Sequence, residues 1–156
     1  MPKHWEVEAA RFLRIAEVNV QKRVQMFQPH DFKKQPELTD NQLSMHGALS
    51  PHKQHTEDFS GEVVEVHDGD TIKVQWLERD FPTKIRFANV AAAELGEGGE
   101  ESKEWLKQRL LGKVVDIKIN KPNRTGKYGR LLGRVFHNGM DIGLESALYG
   151  HVEVIR

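Results

Sequence analysis

Hydrophobic positions along the chain follow three different spacings. Over residues 1–28, Trp5, Ala9, Phe12, Leu13, Ala16, Val20, Val24 and Phe27 recur at helical intervals, while Arg11, Glu17 and Arg23 fall on other faces. This spacing predicts an amphipathic helix whose apolar stripe must be covered by the protein's own body, a second copy or another protein. Residues 29–60 lose all periodicity and carry Pro36, Gly47 and Pro51 among polar side chains, the pattern of an irregular linker or arm. From Gly61 the period becomes two. Val64 and Val66 open a strand that Asp68-Gly69-Asp70 turns back, and Ile72, Val74 and Trp76 alternate with Lys73 and Gln75. Ile85 and Phe87 alternate with Arg86 and Ala88 in a third strand.

Gly96, Gly98 and Gly99 then interrupt the chain, and Glu100 to Leu111 returns to helical spacing with Gly112 as its expected C-cap. Val115, Ile117 and Ile119 predict a fourth strand. Leu132, Arg134 and Phe136 predict a fifth, ended by Asn138-Gly139. Met140, Leu144, Ala147 and Leu148 outline a closing helix stopped at Gly150. Five short strands with a helix between the third and fourth predict an α+β domain over residues 61–156, mainly β with helices, built as a five-stranded OB-fold barrel.

Composition narrows the function classes. The 156 residues carry 23 basic and 23 acidic side chains, so the strongly basic balance of a non-specific DNA-coating protein is absent and any grip on nucleic acid is local. The absence of cysteine excludes disulfides and thiolate zinc sites. No apolar stretch spans a membrane and the N-terminus lacks a signal-peptide core, which makes a cytoplasmic location the expectation. His46, His52 and His55 lie in the polar arm and read as solvated side chains rather than metal ligands.

Four polar clusters punctuate the predicted barrel. Asp68-Gly69-Asp70-Thr71 places two carboxylates at a tight turn, where such groups commonly cap backbone amides. Arg86 interrupts an apolar strand. Glu94 follows that strand, and Arg124-Thr125-Gly126-Lys127-Tyr128-Gly129-Arg130 forms a basic, glycine-bearing loop. Singly, these read as a capped turn, surface ion-pair partners and a mobile hairpin. The loop also suits a phosphate clamp, since arginine forks match phosphate oxygens.

In combination and order, the clusters resemble the staphylococcal nuclease family. His67-Asp68-Gly69-Asp70-Thr71 is similar to that family's first-turn motif. Lys84-Ile85-Arg86-Phe87-Ala88-Asn89-Val90 with Glu94 is similar to its arginine-bearing strand and following acid, and Arg124 to Arg130 resembles its second arginine motif. The likeness runs from about Gly61 to Val152. It implies a calcium-dependent nuclease acting on DNA or RNA, in which Asp70 supplies a carboxylate to the ion, the Ala92 carbonyl is a further ligand, and Asp68 shapes the site. Arg86 and Arg130 would hold the scissile phosphate, Glu94 would orient or deprotonate the attacking water, and Lys127 and Tyr128 would contact a terminal phosphate.

The pattern departs at Ala91-Ala92-Ala93-Glu94, where the family has an aspartate at position 91 and a proline at position 93. One carboxylate fewer removes on the order of a few kcal/mol of attraction at an effective dielectric near 20, and every ~1.4 kcal/mol is tenfold in affinity. Weak calcium binding and impaired cleavage are therefore expected. Two accounts of Ala91 stand: alteration of an active nuclease, or a naturally degenerate domain that binds nucleic acid or protein without cutting. Beside the nuclease reading, the N-terminal helix offers an assembly role, with self-association or a protein partner as its cover.

Overall fold

The computed structural model describes residues 30–92, 99–126 and 130–155; the helix expected over 1–28 lies outside them. The described residues form three α-helices, α1 (Asp40–His46), α2 (Gly99–Leu110) and α3 (Ile142–Leu148), with a 3-10 turn at Gly47–Leu49. The strands are β1 (Phe59–Asp68), β2 (Thr71–Gln75), β3 (Thr83–Phe87), β4 (Val90–Ala92), β5 (Val114–Ile119), β6 (Leu131–His137), β7 (Met140–Asp141) and β8 (Val152–Val154).

β1, β2, β3, β5 and β6 make the expected five-stranded barrel. The order is β3-β2-β1-β5-β6, and a parallel pairing of β3 with β6 closes it, joining Ile85 to Leu131, Arg86 to Leu132 and Phe87 to Gly133. Closure depends on the ten-residue β1, which serves two partners. Its first half pairs with β5 through Phe59 to Glu62, and its second half pairs with β2 through Glu62 to Asp68. Register shifts between Val63 and Glu65 and between Val66 and Asp68 let the strand bend from one half to the other.

Alternation decides what lies inside. Ile72, Val74, Ile85, Phe87, Val115, Ile117, Leu131 and Val135 are buried, and Leu106 and Leu110 of α2 plug the barrel with them. Full burial of one such side chain contributes roughly 1.5–3 kcal/mol. α2 is followed at Gly112 by a backbone φ of +78°, a left-handed conformation that glycine adopts without cost, in keeping with its expected role as a cap. A second, two-stranded sheet of β4 and β8 places Ala91 opposite Glu153.

The arm departs from a solvated coil. Thr39 caps α1 through a capping box with Gln42. Leu38 is fully buried, and Glu37, Gln54 and His55 are buried with it. The expectation that His52 and His55 are solvated is corrected. The ring of His55 stacks on Phe59 at 4.0 Å and meets Trp76 at 4.1 Å, while His52 Nε2 bonds the Pro36 carbonyl at 2.8 Å.

Candidate active site

The antiparallel register of β2 and β3, carried on into β6, arranges the outer face of the barrel. Thr71 lies beside Arg86, which lies beside Leu132; one step along, Lys73 lies beside Lys84. Ile85, Phe87 and Leu131 point to the core, so Lys84 and Arg86 project outward on the same face. Arg130 precedes Leu131, which pairs with Ile85, and it lines a recess together with Lys73 and Lys84. Both arginines singled out in the sequence therefore belong to one face.

Arg86 is held by the end of its own strand, the start of β4 and the first turn. Its Nη1 donates to the carbonyl of Phe87 at 2.6 Å and to that of Val90 at 2.8 Å, and its Nη2 lies 3.5 Å from Asp70 Oδ2. Asp70 is buried and gathers further donors. The Thr71 hydroxyl donates to Oδ1 at 2.9 Å, and the Ala92 N–H donates to Oδ2 at 3.0 Å. Asp68 Oδ1 accepts the Asp70 N–H at 3.1 Å, which fixes the turn. Gly69 is required here by proximity: a Cβ at that position would fall 2.6 Å from the Ser102 Cβ and 2.9 Å from the Ala92 Cβ. The turn is thus pressed against α2 and β4, and this contact brings Asp70 to Ala92.

The two carboxylates differ in charge. Burial pushes Asp68 above the usual carboxylate range, reinforced by its hydrogen bond with Asp70. Burial alone would raise Asp70 too. Hydrogen bonds from Asp68 and the Ala92 N–H, the Arg86 charge and the Thr71 hydroxyl outweigh it and hold Asp70 below that range. Asp70 is the standing anion of the pair, and Asp68 takes up a proton first.

Asp68, Asp70, Arg86 and Ala92 are brought together, with Arg130 on the same face. Ala91 is in β4, and a small recess is lined by Ala91, Ala92, His151 and Glu153. Glu94, Lys127 and Tyr128 lie outside the described residues. The neck of the loop carrying the latter two is defined: Gly126 N–H bonds the Arg130 carbonyl at 2.8 Å, and Leu132 N–H bonds the Arg124 carbonyl at 2.7 Å.

Arg124, first in that basic loop, is buried against the arm. It is 5% exposed, and its guanidinium donates to Asp40 Oδ1 at 2.9 Å, to the Leu38 carbonyl at 2.9 Å and to the His55 carbonyl. Glu37 joins the cluster, 3.6 Å from Arg124 and 2.5 Å from Arg79. This anchor between arm and loop was hidden in the sequence because a single arginine beside Thr125 and Gly126 looks like the others. Lys84 was also missed, although its outward position in the alternation was readable.

A family model described as staphylococcal nuclease homologue matches residues 73–155. The chain belongs to this family. Among curated relatives of the nuclease homologues, an uncharacterized endonuclease of Escherichia coli is 36% identical over 87 residues, covering 54% of each chain. Endonuclease Htp3 of Saprolegnia parasitica is 30% identical over 127 residues, covering 66% of this chain and 59% of its own. A micrococcal nuclease of Shigella flexneri is 35% identical over 80 residues, covering 51% of this chain and 43% of its own. The chain spans about half the length of the curated relatives it matches. The arm lies outside the family match, and so do Asp68 and Asp70.

Proposed function

We propose that this nuclease homologue hydrolyses phosphodiester bonds of DNA or RNA, with Arg86 and Arg130 as the phosphate clamp. The observation that carries the reading is the double tether of Arg86 to the Phe87 and Val90 carbonyls beside Asp70, on the face that also holds Arg130. A guanidinium fixed in this way is held in one orientation, so it meets charge growing on a phosphoryl group without reorganising. Glu94, which follows β4 in sequence, is assigned to orient the attacking water and take its proton. Lys127 and Tyr128 are assigned to a terminal phosphate.

Calcium is the ion this donor set suits, through Asp70, the Ala92 carbonyl and Asp68 in support, because hard cations take oxygen ligands. The fit is one carboxylate short. Among the described residues no three histidine, aspartate or glutamate side chains are grouped for a metal, and Ala91 supplies only a methyl. A calcium ion held there supplies Lewis-acid polarisation of the phosphodiester and of the attacking water. Asp70 stays charged for this role, since Arg86, Thr71 and the Ala92 N–H stabilise its anion. Weak binding and slow cleavage follow from the missing ligand.

Ala91 also favours a second reading, a degenerate domain that grips nucleic acid without cutting it. Calcium-dependent cleavage of single-stranded DNA, measured for the chain as it stands and for Ala91→Asp, decides between the two. Cleavage that appears or rises with Ala91→Asp and vanishes with Arg86→Ala supports the nuclease. Binding without cleavage in both chains supports the degenerate domain.

A further inference from the structure

Next to the proposed clamp lies a recess that shares Arg130 with it and whose other residues the proposed chemistry does not use. It occupies about 650 Å³ between the arm and the outer face of β2 and β3. Six of its eleven lining residues are lysine or arginine, and one is acidic. That one, Glu37, is already paired with Arg79 at 2.5 Å. Lys73 has Glu65 at 3.2 Å, whereas Lys33, Lys34 and Lys84 form no ion pair among the described residues. In a chain of zero formal net charge this is a strong local excess. Like charges around one cavity repel each other and attract a polyanion.

The arm's contribution is built. The Asp31 carbonyl accepts the Gln35 N–H at 3.0 Å, and its Oδ1 accepts the N–H groups of Lys33 and Lys34 at 3.0 and 3.2 Å. The carbonyl of Pro36 is bonded at 2.8 Å by both His52 Nε2 and Gln54 Nε2. A closed turn thus presents two adjacent lysines to the same recess as Arg130.

We infer that this recess is a subsite for the backbone of a single nucleic-acid strand adjoining the clamped phosphate, with Lys33 and Lys34 contacting phosphates beyond Arg130. The inference rests on the nuclease reading and extends it to a segment outside the family match. A recess of drug-ligand size holds about one or two nucleotides and excludes the body of a duplex. Phe81 and Pro82 give it an apolar wall against which a sugar or base can lie.

The test uses the full chain with EDTA to prevent cleavage, and fluorescent octathymidylate as probe. Lys33→Ala/Lys34→Ala should weaken binding roughly tenfold near 0.1 M salt and lower the slope of log affinity against log salt by about 1.4, two single-strand phosphates' worth. Lys107→Ala/Lys118→Ala, which removes the same charge from exposed positions on α2 and β5, should change both far less. Equal effects of the two double variants would overturn the subsite, and so would a duplex that competes as well as the single strand. If the arm variant binds normally while Arg86→Ala and Arg130→Ala lose affinity, the subsite falls and the nuclease reading stands. If the unaltered chain does not bind the probe, both fall.

Discussion

His55 is the point at which acid should loosen the arm. Its side chain is fully buried, and burial, with the charges of Arg79 and Arg124 next, pushes its pKa from 6.5 down to about 2. The Thr83 hydroxyl accepts a bond from Arg79 Nη1 at 3.0 Å and lies 2.8 Å from His55 Nε2, suited to give its own proton to a neutral ring. A folded-state pKa below the unfolded value means that the unfolded chain takes up a proton that the native ring refuses. The stability contributed by the neutral ring is complete above pH 6.5 and is lost progressively as pH falls from 6.5 towards 2. At pH 5 the loss is about 1.5 pH units at ~1.4 kcal/mol each, or about 2 kcal/mol. That is a large part of the ~5–15 kcal/mol typical of a domain.

His55→Gln keeps an acceptor for Thr83 and removes the titration. Urea unfolding at pH 7.5, 6 and 5 gives the comparison. The original chain should be the more stable at pH 7.5, because the glutamine lacks the ring that stacks on Phe59 and Trp76. Its advantage should shrink by about 2 kcal/mol between pH 6.5 and pH 5. Parallel loss of stability in the two proteins would refute the reasoning, as would an NMR titration placing the native His55 ring near 6.5.

Three other outcomes are expected. Arg130→Ala, made in a cleaving version, should lower kcat more than it raises KM, by about 10²–10³-fold, since a phosphate clamp acts on developing charge; steady-state kinetics on an oligonucleotide checks it. Ala91→Asp should tighten calcium binding by tenfold or more, as one added carboxylate at close range implies, which calorimetry reads directly. Phe12→Asp, in the middle of the stripe over residues 1–28, should release a monomer by size-exclusion if that helix joins two copies. It should lower only Tm if the helix packs on its own barrel, and unchanged mass and Tm would point to a separate protein partner.

The barrel was legible because its signals are local. Alternation at Ile72, Val74, Ile85 and Phe87 fixes the inward face, and Asp68-Gly69-Asp70 fixes the first turn, so each strand can be read within a few residues. Position within the alternation also placed Arg86 on the outer face. What it does not encode is the distance between Asp70 and Ala92, twenty-two residues apart, which depends on how closely Gly69 approaches α2. The arm was illegible for a related reason. Glu37, Gln54, His55 and Arg124 are polar, and polarity in an aperiodic segment reads as solvation. Their burial is sustained by partners up to 86 residues away, as between Arg124 and the Leu38 carbonyl. The short strands β4, β7 and β8 were also missed, since two or three residues carry no recognisable period.

The arm's network bears on the proposed clamp through covalent and hydrogen-bonded continuity. Arg124 is fixed by Asp40, Leu38 and His55, and its carbonyl holds the Leu132 N–H at the start of β6. Gly126, two residues on, holds the Arg130 carbonyl. The backbone of Arg130 is therefore pinned on both sides by a neck that the arm fastens. Preorganised donors aid catalysis only while their geometry persists, and an error of about 1 Å can cost 10²-fold. Breaking the anchor with Arg124→Met leaves Asp40 without its cation and Glu37 with Arg79 alone, and loosens the neck without altering Arg86 or Arg130. Its effect on a cleaving version should be on kcat, with binding of octathymidylate changed less than by Arg130→Ala. A loss of binding equal to that of Arg130→Ala would mean that Arg124 itself reaches the strand.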